Sequence, residues 1–156
     1  MRVLFHYFVR LVLAVAVIVG AGKLFKFREK ITIDANDQSI DQIQYPSGSY
    51  FVNTSATEPS KIHQDDIVAY WVPGGQPEPR VARVAAVEGQ TIELNGTTVL
   101  VNGAPTKFTP GVPAQKWAPI KVPHGCVYLI CDKPMFGRDS TTVGPIPSYA
   151  IYGKLK

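Results

Sequence analysis

Between Val3 and Leu24 the chain is apolar except for His6 and Arg10 in its first half and Lys23 at its end, and this run limits the fold more than any other feature. It has the length that crosses a hydrocarbon core as an α-helix. His6 and Arg10 sit where they can snorkel toward headgroups, and Lys23, Lys26, Arg28 and Lys30 cluster at its end as interface anchors. A cleaved leader is the competing reading, because Gly20-Ala21-Gly22 supplies small residues after the apolar core. The basic residues directly after the run favour a retained transmembrane anchor with a basic flank over residues 1–30, followed by one domain over 31–156.

The basic character of the chain belongs to that end. Six of the sixteen Lys and Arg fall in residues 1–30 against Glu29 alone, and the other ten meet eleven acidic residues, a net of −1. A basic globular face for nucleic acid is therefore not supported. More positive charge follows the apolar run than precedes it, so charge counting alone places the C-terminal domain in the cytoplasm. Gly20-Ala-Gly-Lys23 lacks the Ser/Thr and the spacing of a phosphate loop and marks a helix end.

After residue 31 the pattern is one of short strands. Alternating or apolar runs at 50–53, 66–72, 80–87, 91–95, 98–102, 126–131 and 150–155 are bounded by Gly, Pro, Asn and Asp. No long amphipathic helix follows the anchor, so the spacing predicts a mainly β, antiparallel domain. Asn95-Gly96 lies between Ile92-Glu93-Leu94 and Val99-Leu100-Val101 and predicts a type I′ hairpin turn. Residues 73–79 and 105–119 are expected to be loops, the second long enough for a cap or a partner-binding insertion. Cys126 and Cys131, on one predicted strand, fall about 16 Å apart on opposite faces and are expected to be free thiols. His6, His63 and His124 have no metal-ligand spacing, and no cofactor motif is present. Trp71 and Trp117 suit either a core or a membrane surface.

Three segments carry a resemblance. Arg80-Val-Ala-Arg-Val-Ala-Ala-Val-Glu-Gly-Gln-Thr-Ile92, with Val101-Asn102-Gly103 after it, resembles the general-base box of type I signal peptidases, roughly Lys-Arg-Val-Val-Ala-x-Pro-Gly-Asp-x-Ile. Arg83, Val84, Ala86, Gly89 and Ile92 match, and Ala82 stands at the position of the catalytic lysine. Residues 122–132 and 137–147 follow the family's later box, with Asp132, Asp139, Ser140, Gly144 and Pro147 matching. There Cys131 replaces a glycine, Lys133 an asparagine, Gly137 the serine that helps orient the base, and Thr141 an arginine. The ending is most similar to the small signal peptidases of conjugative transfer, the TraF type.

Two registers compete for the serine. In one, Ser39-Ile-Asp-Gln42 opens the serine box ahead of Tyr50-Phe51-Val52 but lacks its proline, which makes Ser39 the candidate nucleophile. In the other, the TraF pattern Ser-x-Pro-x-Gly-x-Tyr fits Gln44-Tyr-Pro46-Ser-Gly-Ser-Tyr50 at every fixed position except the serine, which is Gln44. Ser47 and Ser49 are nearby turn serines. A serine hydroxyl needs a base to take its proton, and in a Ser/Lys dyad a buried lysine of lowered pKa does so. Alanine cannot accept a proton, and Arg83 stays charged. A replacement base would have to come from Lys61, His63 or a residue far along the chain.

The resemblance implies an antiparallel signal-peptidase-like β fold behind one membrane helix, anchored in the bacterial inner membrane with the C-terminal domain periplasmic, opposite to the charge count. It implies processing of exported precursors or, with the dyad degenerate, binding them without cleavage. Asp139 then orients the site, and Gln44, Pro46 and Arg83 line the substrate groove. The implied partners are an exported precursor or pilin-like peptide, membrane lipid and other secretion-system subunits. A structural subunit of a transenvelope secretion complex is the alternative. Ala82 itself admits natural loss, an engineered Lys→Ala change, or a displaced alignment.

Overall fold

The computed structural model describes residues 28–34, 39–41, 44–75, 79–111, 115–133 and 138–155. The apolar run at 3–24 and Gly137 lie outside the described residues; among those described, no helix is long and apolar enough to cross a membrane. In chain order the strands are β1 (Arg28–Ile33), β2 (Gly48–Asn53), β3 (Ile67–Tyr70), β4 (Arg80–Val87), β5 (Thr91–Gly96), β6 (Thr98–Val101), β7 (Ala104–Pro105), β8 (Gln115–Lys121), β9 (Cys126–Ile130), β10 (Ile146–Pro147) and β11 (Ile151–Leu155). Among the described residues a short α-helix, α1 (Ser140–Val143), follows β9. A seven-stranded sheet has the order β1-β2-β11-β3-β4-β9-β10, and a four-stranded sheet the order β7-β6-β5-β8. Every pairing is antiparallel, as the spacing of the runs predicts.

β4 organises the core because both of its faces are covered. Ala82 and Val84 point into one apolar cluster with Val68, Tyr70, Leu129 and Cys131. Val81 points the other way, toward Ile31, Ile33, Ile40, Val52, Ile67 and Ala69. The register shifts between Val84 and Ala86, and a shift of this kind re-aims the strand. Beyond it Ala85 and Ala86 pack with Tyr128 and Ile130 against Ile92, Leu94, Val99 and Val101 of the small sheet. Each fully buried Val, Leu or Ile contributes about 1.5–3 kcal/mol, so the three clusters supply the main drive to fold.

Several expectations need correction. The hairpin turn sits one residue later than expected: Asn95 pairs with Thr98, so Gly96 and Thr97 are central. Of these only Gly96 has positive φ, 67°, the pattern of a type II′ turn. The expected 105–119 loop is shorter, because β8 starts at Gln115. β8 is an edge strand, and its register against β5 skips between Ile92 and Leu94, opposite Pro119, where a missing N–H costs no ladder bond. β1 takes in Arg28, Glu29 and Lys30, so the sheet begins inside the basic flank. Gly153 is the close-approach glycine: a Cβ there would overlap Val52 Cγ1 on the neighbouring strand. Cys126 and Cys131 form no disulfide, as expected, and join different apolar clusters.

Candidate functional site

Strand register dictates what surrounds Ala82. It pairs with Val68 on β3, and because Arg83 pairs with Ile130 on β9, continuing the register places Cys131 across from Ala82. Ala82 has 0% exposure, and Tyr70 lies diagonally on the same face. The Cys131 thiol lies 4.0 Å from the Val81 carbonyl, and the Tyr70 hydroxyl donates to the Arg138 carbonyl. Burial, and then Cys131 and Asp139, push the Tyr70 phenol far above its ordinary pKa, so it stays neutral and is no base near pH 7. The two departures from the family pattern on this face are complementary in size. A small residue replaces lysine at 82, and a larger one replaces glycine at 131.

One residue along, the chemistry reverses. Arg83 points to the opposite face from Ala82 by strand alternation. Asp132, two beyond Ile130, is then its diagonal neighbour, within reach of a long side chain. The two form a forked ion pair, Nε to Oδ1 at 2.9 Å and Nη2 to Oδ2 at 3.0 Å. Burial alone would lower the guanidinium's pKa, but the hydrogen bonds and charge of Asp132 outweigh it and hold Arg83 above its ordinary value. Asp132 also accepts from the Asp41 N–H, its own N–H donates to the Ser39 carbonyl, and its carbonyl accepts from Gly111. Asp132 thus ties β4 and the Ser39–Asp41 segment through its carboxylate, and the 106–111 loop through its main-chain carbonyl. A charge pair so placed holds geometry more than it adds stability, since its desolvation offsets most of its attraction.

Above this pair lies a cleft of about 640 Å³, lined by Asp41, Gln44, Asp65, Lys107, Phe108 and Lys133 among others. The Gln44 Oε1 is 3.5 Å from Arg83 Nη2, and the Arg83 guanidinium stands 5.0 Å from the centre of the Phe108 ring. The sequence-derived residues are therefore divided. Gln44 and Arg83 share the cleft, whereas Ala82 is enclosed on the far face. Pro46 does not line the cleft; it is exposed, and its carbonyl accepts from the Tyr50 hydroxyl at 2.6 Å. Ser39 is buried at 2% exposure and is not among the residues that line the cleft. Of the alternative bases, Lys61 pairs with Glu58 at the surface, and His63, whose side chain is 69% exposed, lies near Asp66.

Asp139 is fully buried and does structural work. Its Oδ2 accepts from the Cys131 N–H at 2.9 Å, and its Oδ1 from the N–H and hydroxyl of Thr141, capping α1. Ser140 Oγ accepts from the Leu129 N–H at 2.8 Å. These two side chains satisfy the edge of β9 where β10 ends, at Val127. Sequence reasoning missed Asp41, Asp65, Lys107 and Phe108 as lining residues. They come from loops without periodicity, and only Lys133 carried a signal, as a departure from the family pattern.

Comparison with known proteins bears on the family and the fold. Residues 4–156 match the family model described as signal peptidase, peptidase S26. A signal peptidase I of Leptolyngbya laminosa is 30% identical over 76 residues, which cover 47% of this chain and 37% of that relative. The chain thus spans little more than a third of the curated relative it matches. The crystal structure of a signal peptidase I from Enterococcus faecalis superposes with a TM-score of 0.52 at 18% identity, over 61% of this chain and 97% of that one, a likeness of fold. With the family's boxes on β4 and around β9 and this match along nearly its whole length, the chain belongs to the signal peptidase family of serine peptidases.

Proposed function

We propose that this protein is a membrane-anchored signal peptidase homologue of the TraF type that has lost its Ser/Lys dyad and holds segments of exported precursors without cutting them. The observation that carries this reading is the repacked face around Ala82: the base position is enclosed, and Cys131 and Tyr70 stand beside it in one apolar cluster. A single engineered Lys→Ala change would leave a gap across from the family's glycine; here the facing residue has grown. Gln44, at the serine position of the better register, is an amide and supplies no nucleophile. The cleft that contains it remains, and a precursor segment lies in it as an extended chain. The domain is placed on the periplasmic side of the bacterial inner membrane, close to where precursors emerge.

The test uses the full-length protein in lipid and a small-x-small precursor carrying a photo-crosslinker near its cleavage site. Crosslinks to peptides containing Gln44 or Lys133, with the precursor left whole, are the expected result. Crosslinks absent from the cleft, with capture instead by secretion-complex subunits, would point to the structural role. A reporter fused after Lys156 tests the orientation, and cytoplasmic signal alone contradicts it.

A further inference from the structure

From the charges of the cleft we infer that its ligand carries a carboxylate, bound between Lys107 and Lys133; this rests on the reading of the cleft as a retained peptide groove. Three acids and three bases line it, and they are not evenly engaged. Arg83 is occupied by Asp132, and Asp65 adds its charge to the same guanidinium. Lys107 and Lys133 are exposed, and neither makes an ion pair or hydrogen bond among the described residues. The lining carries equal formal charge of each sign, and what sets these two ammonium groups apart is that no carboxylate engages them as Asp132 engages Arg83. Gln44 turns its Oε1 toward Arg83, which leaves the amide N–H₂ as a donor. Two ammonium groups and an amide donor around an open volume match a carboxylate oxygen pair, while the Phe108 ring supplies an apolar side for the preceding residue. Such a groove favours the C-terminal end of an already cut peptide, or an acidic side chain, over the uncharged small-x-small segment a peptidase would hold for cleavage.

The experiment is titration of the full-length protein in detergent with three fluorescent probes: an N-acylated alanine tripeptide with a free C-terminal carboxylate, its C-terminal amide, and an amidated tripeptide with glutamate at its centre. The free acid is expected to bind at least tenfold tighter than its amide, with the difference shrinking at high salt. Lys107→Gln and Lys133→Gln each reduce that difference about two- to fivefold, as exposed ion pairs do, and the double variant abolishes it. Both lysines are exposed, so an unchanged melting temperature shows the fold intact. Tight binding of the glutamate probe as well assigns the site to carboxylates in general; its failure to bind assigns it to chain ends. Equal binding of acid and amide overturns the carboxylate inference and leaves the groove reading standing. No binding of any probe overturns both.

Discussion

Ala82 and Arg83 are neighbours in sequence, yet they look into two different environments, and the contrast explains the molecule. The Ala82 face is dry: its partners across the strands are Val68 and Cys131, with Tyr70 beside them. The Arg83 face is wet and charged, with a forked ion pair under an open cleft. Ser/Lys chemistry needs a lysine and a hydroxyl side by side, and here Gln44, at one serine position, shares the cleft with Arg83 while Ala82 looks into the apolar cluster on the other face. The first face is closed, while the second carries an open cleft with a polar lining. The two positions that the resemblance assigns to the dyad therefore do not meet, while the cleft beside Arg83 stays open.

The largest effect should come from breaking the wet face. Asp132→Ala leaves the Arg83 guanidinium, 14% exposed, without its partner and is expected to cost about 3–5 kcal/mol in chemical denaturation. Arg83→Met with Asp132→Leu should cost clearly less than the single change, since no charge is left stranded. If the single change is harmless, Asp132 is not the tie between β4 and the Ser39–Asp41 segment.

On the dry face the expected effects are smaller and coupled. Ala82→Met forces a long side chain into a closed cluster and should cost about 1–3 kcal/mol. Combined with Cys131→Gly, part of that loss should return, and the double-mutant cycle should show a coupling of about 0.5–3 kcal/mol. Strict additivity would mean that residues 82 and 131 have not exchanged volume.

Titration separates the faces further. Burial, then Asp139, pushes the Tyr128 phenol up to about 12, and Tyr70 lies higher still. In the unfolded chain both ionise near pH 10, so the neutral, folded form loses stability as pH rises from about 10 through 12. Tyrosinate absorbance should therefore show these two groups ionising together with unfolding; early ionisation of Tyr70 would mean that the dry face is open to water, and of Tyr128 that the small-sheet cluster is.

The smallest effect belongs to a surface clasp. Glu88 accepts from the Gly125 N–H at 2.9 Å and lies 2.5 Å from His124 Nδ1, joining two strand corners. The Gly125 N–H, and then His124, hold its carboxyl below the ordinary value. Its contribution is present above the ordinary carboxylate pKa and fades as pH falls through the lowered one. Glu88→Gln should remove only that acid-side slope, seen in melting temperature against pH.

How much of this was legible in the sequence depends on periodicity. The strands with alternating or apolar runs, β2, β3, β4, β5, β6, β9 and β11, were readable within a residue or two. β8 was hidden by Pro119, which an edge strand tolerates and a sequence pattern counts against strand. The hairpin slipped by one residue because Gly96 alone supplies the positive φ its turn requires. At the site, the missing lysine and the Arg83 position were readable from the motif. The Asp132 pairing was not, because it arises from a diagonal across β4 and β9, and neither were the loop-borne Lys107 and Phe108.

The most direct test is mass spectrometry of a small-x-small precursor incubated with a high concentration of the unchanged full-length protein in lipid, beside Ser39→Ala. The account predicts no product above buffer from either protein. Product from the unchanged chain that disappears in Ser39→Ala would contradict it, placing a working nucleophile at Ser39 and a base that the dry face around Ala82 does not supply.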